Sequence, residues 1–348
     1  MKTHTIAVLP GDGIGPEVTE QGVRILRAME PSLDGARFEF REYSVGAGEY
    51  LRSGDALPPA TMDKIRACDA ILLGAMGLPG VRLPSGVEIA PQIDIREILQ
   101  LYNGLRPVRL YHADDTPLKG YAAGEIDFAI VRESTEGLFW SRKETWAKDA
   151  AEVRDTMRIS RSGAARVIRA AFEVARKRRR KLTLVDKANV LPSMAFFRDV
   201  FYSIAPEFPD VEPGHVYVDA AALFLVRNPR NYDVLVTENM FGDILSDLAA
   251  ALVGGMGMAP SADIGDAHAV FQPAHGSAPD IAGQGIANPV AMILSAAMML
   301  DWLGHPAAAR RIEAAVERVF ADPSARTRDM GGSLSTQEMG DRIAGALG

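Results

Sequence analysis

The chain has 348 residues, of which 47% are hydrophobic and 24% are charged, and its formal net charge is −7. This length allows a large core and two domains, and the negative charge argues against a general nucleic-acid or membrane-surface role. A single cysteine, Cys68, excludes an intrachain disulfide and is typical of a reducing compartment. We find neither an apolar targeting segment nor an apolar run of membrane-spanning length. We therefore expect a cytoplasmic protein that binds no nucleic acid and no membrane.

Short apolar runs alternate with longer helical patterns along the chain. The first run, residues 5–10, predicts a buried strand, and residues 16–29 predict the helix that follows it. Residues 161–180 have helical spacing, with one apolar stripe between Ala164 and Ala175. This alternation predicts an α/β protein in which helices cover a sheet. Further strands are predicted at residues 69–75, 127–133, 181–187 and 232–239.

Two unusual segments lie in the middle of the chain. Residues 137–158 place Trp140 and Trp146 among charged residues, and exposed aromatic side chains usually need to be covered. This segment predicts either an arm that packs on a second subunit or a loop folded back on its own domain. The basic run at residues 176–181 predicts the exposed end of a helix, where cations suit the helix dipole.

The glycine-rich stretch "LPGDGIGPEV" at residues 9–18 is close to a dinucleotide fingerprint. Gly11 and Gly13 match the first two glycines of G-x-G-x-x-G, but Pro16 occupies the third position. Proline favours the start of a helix and not close strand packing, so we predict no standard Rossmann unit. The glycines still allow a close approach of the backbone to another group.

Several charged residues stand at the ends of predicted strands. Arg96, Arg106 and Arg132 offer planar guanidinium groups suited to carboxylates, although surface ion pairs are the alternative for each. Lys187 follows one strand and is a candidate acid or base, or else a surface lysine. Three carboxylates also stand near the ends of predicted strands, and their number and position suit a hard divalent cation. These carboxylates are Asp219, for which helix capping is the alternative, and the pair Asp243 and Asp247, one helical turn apart.

The stretch at residues 273–290, "PAHGSAPDIAGQGIANPV", is rich in small residues. Such a loop lets backbone N–H groups approach a phosphate-bearing ligand. Asp280 within it could accept hydrogen bonds from a ribose 2′-hydroxyl and would repel a 2′-phosphate.

Five motifs together resemble one enzyme family, the β-decarboxylating dehydrogenases that act on isopropylmalate, isocitrate, homoisocitrate and tartrate or D-malate. The motifs are "LPGDGIGPEV", "VDKANVL", "YVDA", "NMFGDILSDLAA" and "HGSAPDIAGQGIANP", and the resemblance covers nearly the whole chain. It implies a two-domain isopropylmalate dehydrogenase-like α/β fold that is not a standard Rossmann fold. The implied cofactor domain comprises residues 1–101 plus 253–348. The implied substrate, metal and dimerisation domain comprises residues 102–252, with a dimer-locking arm at about 137–158.

The resemblance also implies a homodimer with shared active sites and a small hydroxy-dicarboxylate substrate. Arg96, Arg106 and Arg132 would bind the substrate carboxylates. Mg²⁺ or Mn²⁺ would be held by Asp243 and Asp247 together with Asp219 of the partner subunit. Lys187 of the partner subunit would act in catalysis beside that aspartate.

The implied cofactor is NAD, because Asp280 matches a position that is basic in NADP-dependent relatives. The residues implied to bind it are Ile14, His275, Gly276, Ser277, Ala278, Asp280, Ile281 and Asn288.

Two positions depart from the family pattern. Phe139 in "RESTEGLF" replaces a tyrosine that assists proton transfer after loss of CO₂, so we expect altered decarboxylation. Gln92 stands where isopropylmalate enzymes have an apolar residue, and its amide favours a small or polar C3 substituent. We expect NAD- and metal-dependent oxidative decarboxylation of a (2R)-malate-type substrate with a C3 substituent. The alternatives are tartrate/D-malate specificity and a catalytically impaired, ligand-binding regulatory relative.

Overall fold

The computed structural model describes residues 2–348 and contains a single ten-stranded sheet. The spatial order of the strands is β2-β1-β3-β10-β9-β4-β5-β8-β6-β7, which confirms the α/β prediction. The strands are β1 (Thr3–Gly11), β2 (Arg37–Glu42), β3 (Ala70–Ala75), β4 (Asn103–Arg109), β5 (Asp127–Glu133), β6 (Lys181–Asp186), β7 (Glu212–Tyr217), β8 (Val234–Thr237), β9 (Pro260–Ile264) and β10 (Ala269–Pro273). The helices are α1 (Gly15–Met29), α2 (Ala47–Ser53), α3 (Pro59–Arg66), α4 (Pro91–Ile98), α5 (Arg161–Arg176), α6 (Pro192–Ile204), α7 (Val218–Arg227), α8 (Asn239–Ala251), α9 (Val290–Trp302), α10 (Pro306–Phe320) and α11 (Thr336–Gly345).

Two blocks of parallel strands meet at the centre of the sheet. Strands β2, β1, β3 and β10 are parallel, as are β5, β8, β6 and β7. The central strands β9 and β4 join the blocks through antiparallel pairs. In this register Gly104 of β4 lies between Arg132 of β5 and Asp263 of β9. The centre of the sheet therefore brings together charged residues that are distant in sequence.

The buried apolar residues form clusters on both faces of each block, because successive side chains of a strand point to opposite faces. In β1, Ile6 and Val8 join one cluster, and Ala7 and Leu9 join another. The clusters of the first block draw on residues 6–101 and 258–347, and those of the second block on residues 108–253. The division into domains at 1–101 plus 253–348 and 102–252 stays a prediction, and this distribution of the cores supports it.

The helical stripe of residues 161–180 is buried as predicted, but the helix is shorter than predicted. Helix α5 ends at Arg176, and Arg180 has a left-handed φ of 60°. The chain leaves the helix because Arg178 turns back to the sheet, where its guanidinium binds the carboxylates of Asp127 and Asp233. The buried stripe consists of Ala164, Val167, Ile168, Ala171, Phe172 and Ala175.

The predicted strand at residues 232–239 is also shorter, since β8 ends at Thr237 and Asn239 already begins α8. Glu238 is the N-cap of this helix and accepts a hydrogen bond from the backbone N–H of Phe241 at 2.7 Å. The change from strand to helix therefore occurs immediately before the two acids of α8.

The segment at residues 137–158 starts and ends in one place, because Gly137 and Arg158 form an isolated antiparallel bridge. Trp140 lies under the guanidinium of Arg158, 4.0 Å from Cζ to the ring centroid. Trp146 remains 63% exposed. The arm and its packing on a second subunit stay predictions. No helix within residues 2–348 is long and apolar enough to cross a bilayer.

Candidate active site

Three arginines from three elements of the sheet centre line one cavity. Arg96 comes from α4, Arg106 from β4 and Arg132 from β5, and each is less than a tenth exposed. All three line a cavity of about 170 Å³ that is closed on one side by residues of the stretch after β10. We call these three residues the arginine cage. The sequence indicated these three arginines as candidates for binding carboxylates, and the fold brings them together.

The arginine cage contains two carboxylates as counterions. Asp263 of β9 accepts a hydrogen bond from Arg96 Nε at 2.9 Å, and also bonds Ser134 Oγ and Gln272 Nε2. Asp243 of α8 pairs with Arg132 and lies 3.8 Å from Arg106 Nη2. Sequence reasoning missed Asp263, although a lone acid in the short apolar strand "PSADI" was an available signal.

Burial makes the arginine cage electrostatically unfavourable when no anion is bound. Burial, followed by the charge of Arg106, lowers the pKa of Arg132 to about 9. Burial and the charge of Arg96 likewise lower the pKa of Arg106, whose Nε has no hydrogen-bond partner. Three guanidinium groups thus face two carboxylates, and the one positive charge left without a counterion attracts an anion.

The two acids lie one turn apart on α8, and Asp243 lines this cavity. Asp243 contacts the arginine cage, whereas Asp247 lies on the solvent side. Partial burial and then the charge of Asp243 raise the pKa of Asp247. Two neighbouring carboxylates, which offer only oxygen donors, fit a hard divalent cation.

Lys187 and Asp219 form a separate pair outside the arginine cage of the same chain. Lys187 directly follows β6, Asp219 lies in the first turn of α7, and Lys187 Nζ donates to Asp219 Oδ1 at 2.6 Å. This hydrogen bond is the main cause that lowers the pKa of Asp219, whose side chain is exposed. Within residues 2–348, no group of three or more His, Cys, Asp or Glu residues is placed to hold a metal ion. One chain alone therefore does not bring Asp219 to Asp243 and Asp247.

Phe139 and Gln92 line the arginine cage from opposite sides. The Phe139 ring lies 5.3 Å from Cζ of Arg132 and presents no hydroxyl. Gln92 also lines a wider cavity of about 1180 Å³ that opens beside the arginine cage. Its Oε1 is buried and accepts no hydrogen bond. The apolar neighbours of Gln92 in the wider cavity include Ile89 and Ile93.

The glycine turn after β1 packs against the loop after β10. The backbone N–H of Ile14 donates to the carbonyl of Ser277 at 2.8 Å, and a Cβ at Gly13 would overlap that carbonyl. Asp12 accepts three backbone hydrogen bonds of 2.8 Å, from Ala47, Gly48 and Gly77. Asp12, whose role the sequence did not reveal, therefore fixes the turn against two further segments.

The loop at 275–288 leaves polar groups available beside the cavity. His275 Nε2 is buried without a partner, and burial lowers the pKa of this histidine. Gly276 is exposed with open space where a side chain would stand, and Asp280 is exposed. An orphaned ring nitrogen and a side-chain-free turn fit a large ligand that hydrogen-bonds and packs closely.

The remaining loop residues are fixed by the protein itself. Ser277 Oγ donates to the carbonyl of Gly77, and Ala278 has a left-handed φ of 37°. Ile281 packs against the core of the first block. Asn288 Oδ1 accepts from the backbone N–H of Val290 at the start of α9.

Comparison with known proteins agrees with this geometry. A sequence profile described as isocitrate/isopropylmalate dehydrogenase matches residues 5–343. A 3-isopropylmalate dehydrogenase of Bordetella parapertussis is 46% identical, covering 99% of this chain and 100% of that protein. Another of Moorella thermoacetica is 47% identical, covering 98% of each. The crystal structure of isocitrate dehydrogenase from Methylococcus capsulatus superposes with a TM-score of 0.90 at 38% identity, covering 99% of both chains.

These matches confirm the predicted fold class and the resemblance on which it was based. The chain belongs to the isocitrate/isopropylmalate dehydrogenase family and is a decarboxylating dehydrogenase.

Proposed function

We propose that the protein catalyses NAD-dependent, divalent-metal-dependent oxidative decarboxylation of a (2R)-malate-type substrate with a C3 substituent, as 3-isopropylmalate dehydrogenases do. The observation that carries this proposal is the arginine cage. Three buried guanidinium groups with two carboxylate counterions leave a net positive charge that attracts an anion, and a malate core supplies two carboxylates for these groups to bind. The family relationship supplies the reaction class.

The arginines hold the two substrate carboxylates and orient the C2 hydroxyl toward α8. Asp243 and Asp247, with Asp219 of the partner subunit, would hold Mg²⁺ or Mn²⁺ there. When bound, this cation acts as a Lewis acid that polarises the substrate oxygens. Arg132 and Arg106 hold Asp243 in position, because both contact that carboxylate.

Lys187 of the partner subunit takes the proton of the C2 hydroxyl, directly or through water. Lys187 suits this role because it follows the carboxyl end of β6 and is fixed by Asp219 at 2.6 Å. After CO₂ has left, a proton must reach C3, and Phe139 can neither donate nor accept it. We infer that water or another group replaces the missing hydroxyl at this position.

The loop after β10 would bind the adenosine half of NAD. His275 Nε2 is free to bond the ligand, and Gly276 allows close approach. The exposed carboxylate of Asp280 favours a ribose 2′-hydroxyl over a 2′-phosphate. When bound, NAD supplies the hydride acceptor. Ile14 packs beside Ser277 and would border the adenine.

A homodimer with shared active sites completes the arrangement. In one chain Lys187 and Asp219 stand apart from the arginine cage, so a second copy must supply them. The apolar side chains of Leu223, Phe224 and Ile244 on α7 and α8 are exposed, and such a patch marks an interaction surface. We place the subunit contact on these two helices and the arm at 137–158.

Tartrate/D-malate specificity is the second candidate, and the buried, unpartnered Oε1 of Gln92 favours it. A hydroxyl on C3 would satisfy this oxygen, whereas an isopropyl group would leave it without a donor. The regulatory alternative has only Phe139 in its favour.

The experiment is a panel of (2R)-malate, 3-isopropylmalate, tartrate and isocitrate, with NADH absorbance followed with and without Mn²⁺. We expect Mn²⁺-dependent NADH formation with at least one compound. The matched variant Gln92→Leu should shift preference toward 3-isopropylmalate by about tenfold if Gln92 binds a hydroxyl. NADH formation with no compound would refute the enzymatic proposal and favour the regulatory alternative.

A further inference from the structure

Helix α4 carries polar and charged side chains on two sides. Gln92 and Arg96, one turn apart, line the arginine cage. Asp94 and Glu97 point instead toward the short 3₁₀ segment Leu138–Lys143, which forms the start of the arm. The helix therefore lies between the substrate cavity and the base of the arm.

Two cations of the 3₁₀ segment bind the two acids of α4. Arg142 Nη2 donates to Asp94 Oδ1 at 2.7 Å and to Glu97 Oε2 at 2.9 Å. Lys143 Nζ lies 2.9 Å from Glu97 Oε2 and 3.1 Å from Asp94 Oδ1. We call these four residues the α4 ion-pair cluster. Arg142 is its most buried member, with a side chain only 21% exposed.

The other side of the 3₁₀ segment is fixed to the returning chain of the arm. Ser141 Oγ accepts from the backbone N–H of Thr156 at 2.7 Å and donates to its carbonyl at 3.2 Å. Arg158 stacks on Trp140 in the same segment. A continuous set of contacts thus connects the base of the arm, through Arg142, to the helix that carries Arg96.

Apart from the α4 ion-pair cluster, helix α4 is held by the bond of Arg96 to Asp263 and by its buried apolar face. It is eight residues long and has no side-chain hydrogen bond at its N-cap, Ala90. Ile95 is fully buried, but Ile98 is exposed. A helix this short has little stability of its own, so its position depends on its side-chain contacts.

We propose that Arg142 is a positioning residue for substrate binding. By binding Asp94 and Glu97 it holds α4 in the orientation that directs the Arg96 guanidinium and the Gln92 amide into the cavity. Arg142 itself does not line the cavity of the arginine cage, although it lines the wider cavity beside it. This inference rests on the proposed function, because it assumes that the arginine cage binds the substrate dianion.

The test compares Arg142→Gln and the conservative Arg142→Lys with wild-type protein. The control is Arg41→Gln, which removes an exposed arginine of β2 that pairs only with the exposed Glu39. Two quantities are measured on each full-length protein: steady-state kinetics with the best substrate of the panel, and calorimetric binding of (2R)-malate with Mn²⁺ present. Thermal unfolding reports whether each variant is folded.

We expect Arg142→Gln to raise the substrate KM and the malate Kd about three- to tenfold. The kcat should stay within about twofold of the wild-type value, and the KM for NAD should not change, because neither quantity depends on the position of α4 alone. Arg142→Lys should recover part of the loss, and Arg41→Gln should match wild type.

A malate Kd of Arg142→Gln equal to that of wild type would overturn the inference. Equal losses in the KM for substrate and for NAD would also overturn it, because they would indicate a general structural role. If Arg142→Gln does not fold, Lys143→Gln provides the same comparison, and an unchanged Kd there counts against the α4 ion-pair cluster. Failure of the proposed function is distinguishable, because wild type would then form no NADH.

Discussion

Replacing Arg132 by methionine separates the effect of the arginine cage on stability from its effect on activity. Arg132 is 2% exposed, and its guanidinium bonds Asn239 Oδ1 at 2.9 Å and pairs with Asp243. Methionine has a similar length and keeps the apolar contact with the Phe139 ring, but it removes the charge. We expect this variant to fold at least as stably as wild type and to lose most of its activity.

The magnitude follows from the burial of the charge. The fall in the pKa of Arg132 from 12.5 to about 9 corresponds to roughly 5 kcal/mol of unfavourable free energy for the charged group in the fold. Removing the guanidinium leaves Asn239 Oδ1 without this donor, at a cost of about 1–3 kcal/mol. Asp243 keeps Arg106 as a counterion. The net free energy of unfolding should therefore stay equal or rise by a few kcal/mol.

Activity should change in the opposite direction. A substrate carboxylate that loses its buried guanidinium partner loses about 2–5 kcal/mol, so kcat/KM should fall by about 30-fold to several thousandfold. Urea unfolding measures stability, and NADH formation measures activity. The size-matched control Arg41→Met, at an exposed position of β2, should change neither.

Two results would refute this reasoning. A free energy of unfolding lower than that of wild type by more than about 2 kcal/mol would show that the buried charge stabilises the fold. A kcat/KM within about threefold of wild type would show that the arginine cage does not bind the substrate carboxylates.

Three further predictions address the core, the dimer and the proton transfer. Burial raises the pKa of Glu133 to about 7, so between pH 4.5 and 7 the folded protein keeps a proton that the unfolded chain releases. Between pH 4.5 and pH 7 the free energy of unfolding of wild type, measured in urea, should therefore fall by about 3 kcal/mol more than that of Glu133→Gln. Parallel pH profiles of the two proteins would contradict this assignment. Phe224→Asp on α7 should yield a monomer by light scattering with at least about 100-fold lower turnover, whereas a fully active monomer would contradict shared active sites. Phe139→Tyr should raise the CO₂ released per NADH formed toward the stoichiometric limit of one, and an unchanged ratio would argue against a missing proton donor.

Local sequence patterns determined the secondary structure that depends on near neighbours. The apolar stripe of α5 and the first strand followed directly from periodicity, because side chains three or four residues apart share a helix face and alternate residues share a strand face. The predicted end of α5 was wrong, because the contact of Arg178 with Asp127 and Asp233 overrides helix propensity. No local sequence pattern reveals that contact.

The sequence by itself also determined the family, since its five motifs carry the residues of the candidate site in order. Only the tertiary structure decided how those residues combine. Arg96 meets Asp263 across 167 positions of the chain because β4 pairs with β9 in one particular antiparallel register. The spacing of residues within each strand carries no information about the register between distant strands. Only the assembled sheet therefore reveals the arginine cage, the unpartnered oxygen of Gln92 and the separation of Lys187 and Asp219 from the arginine cage.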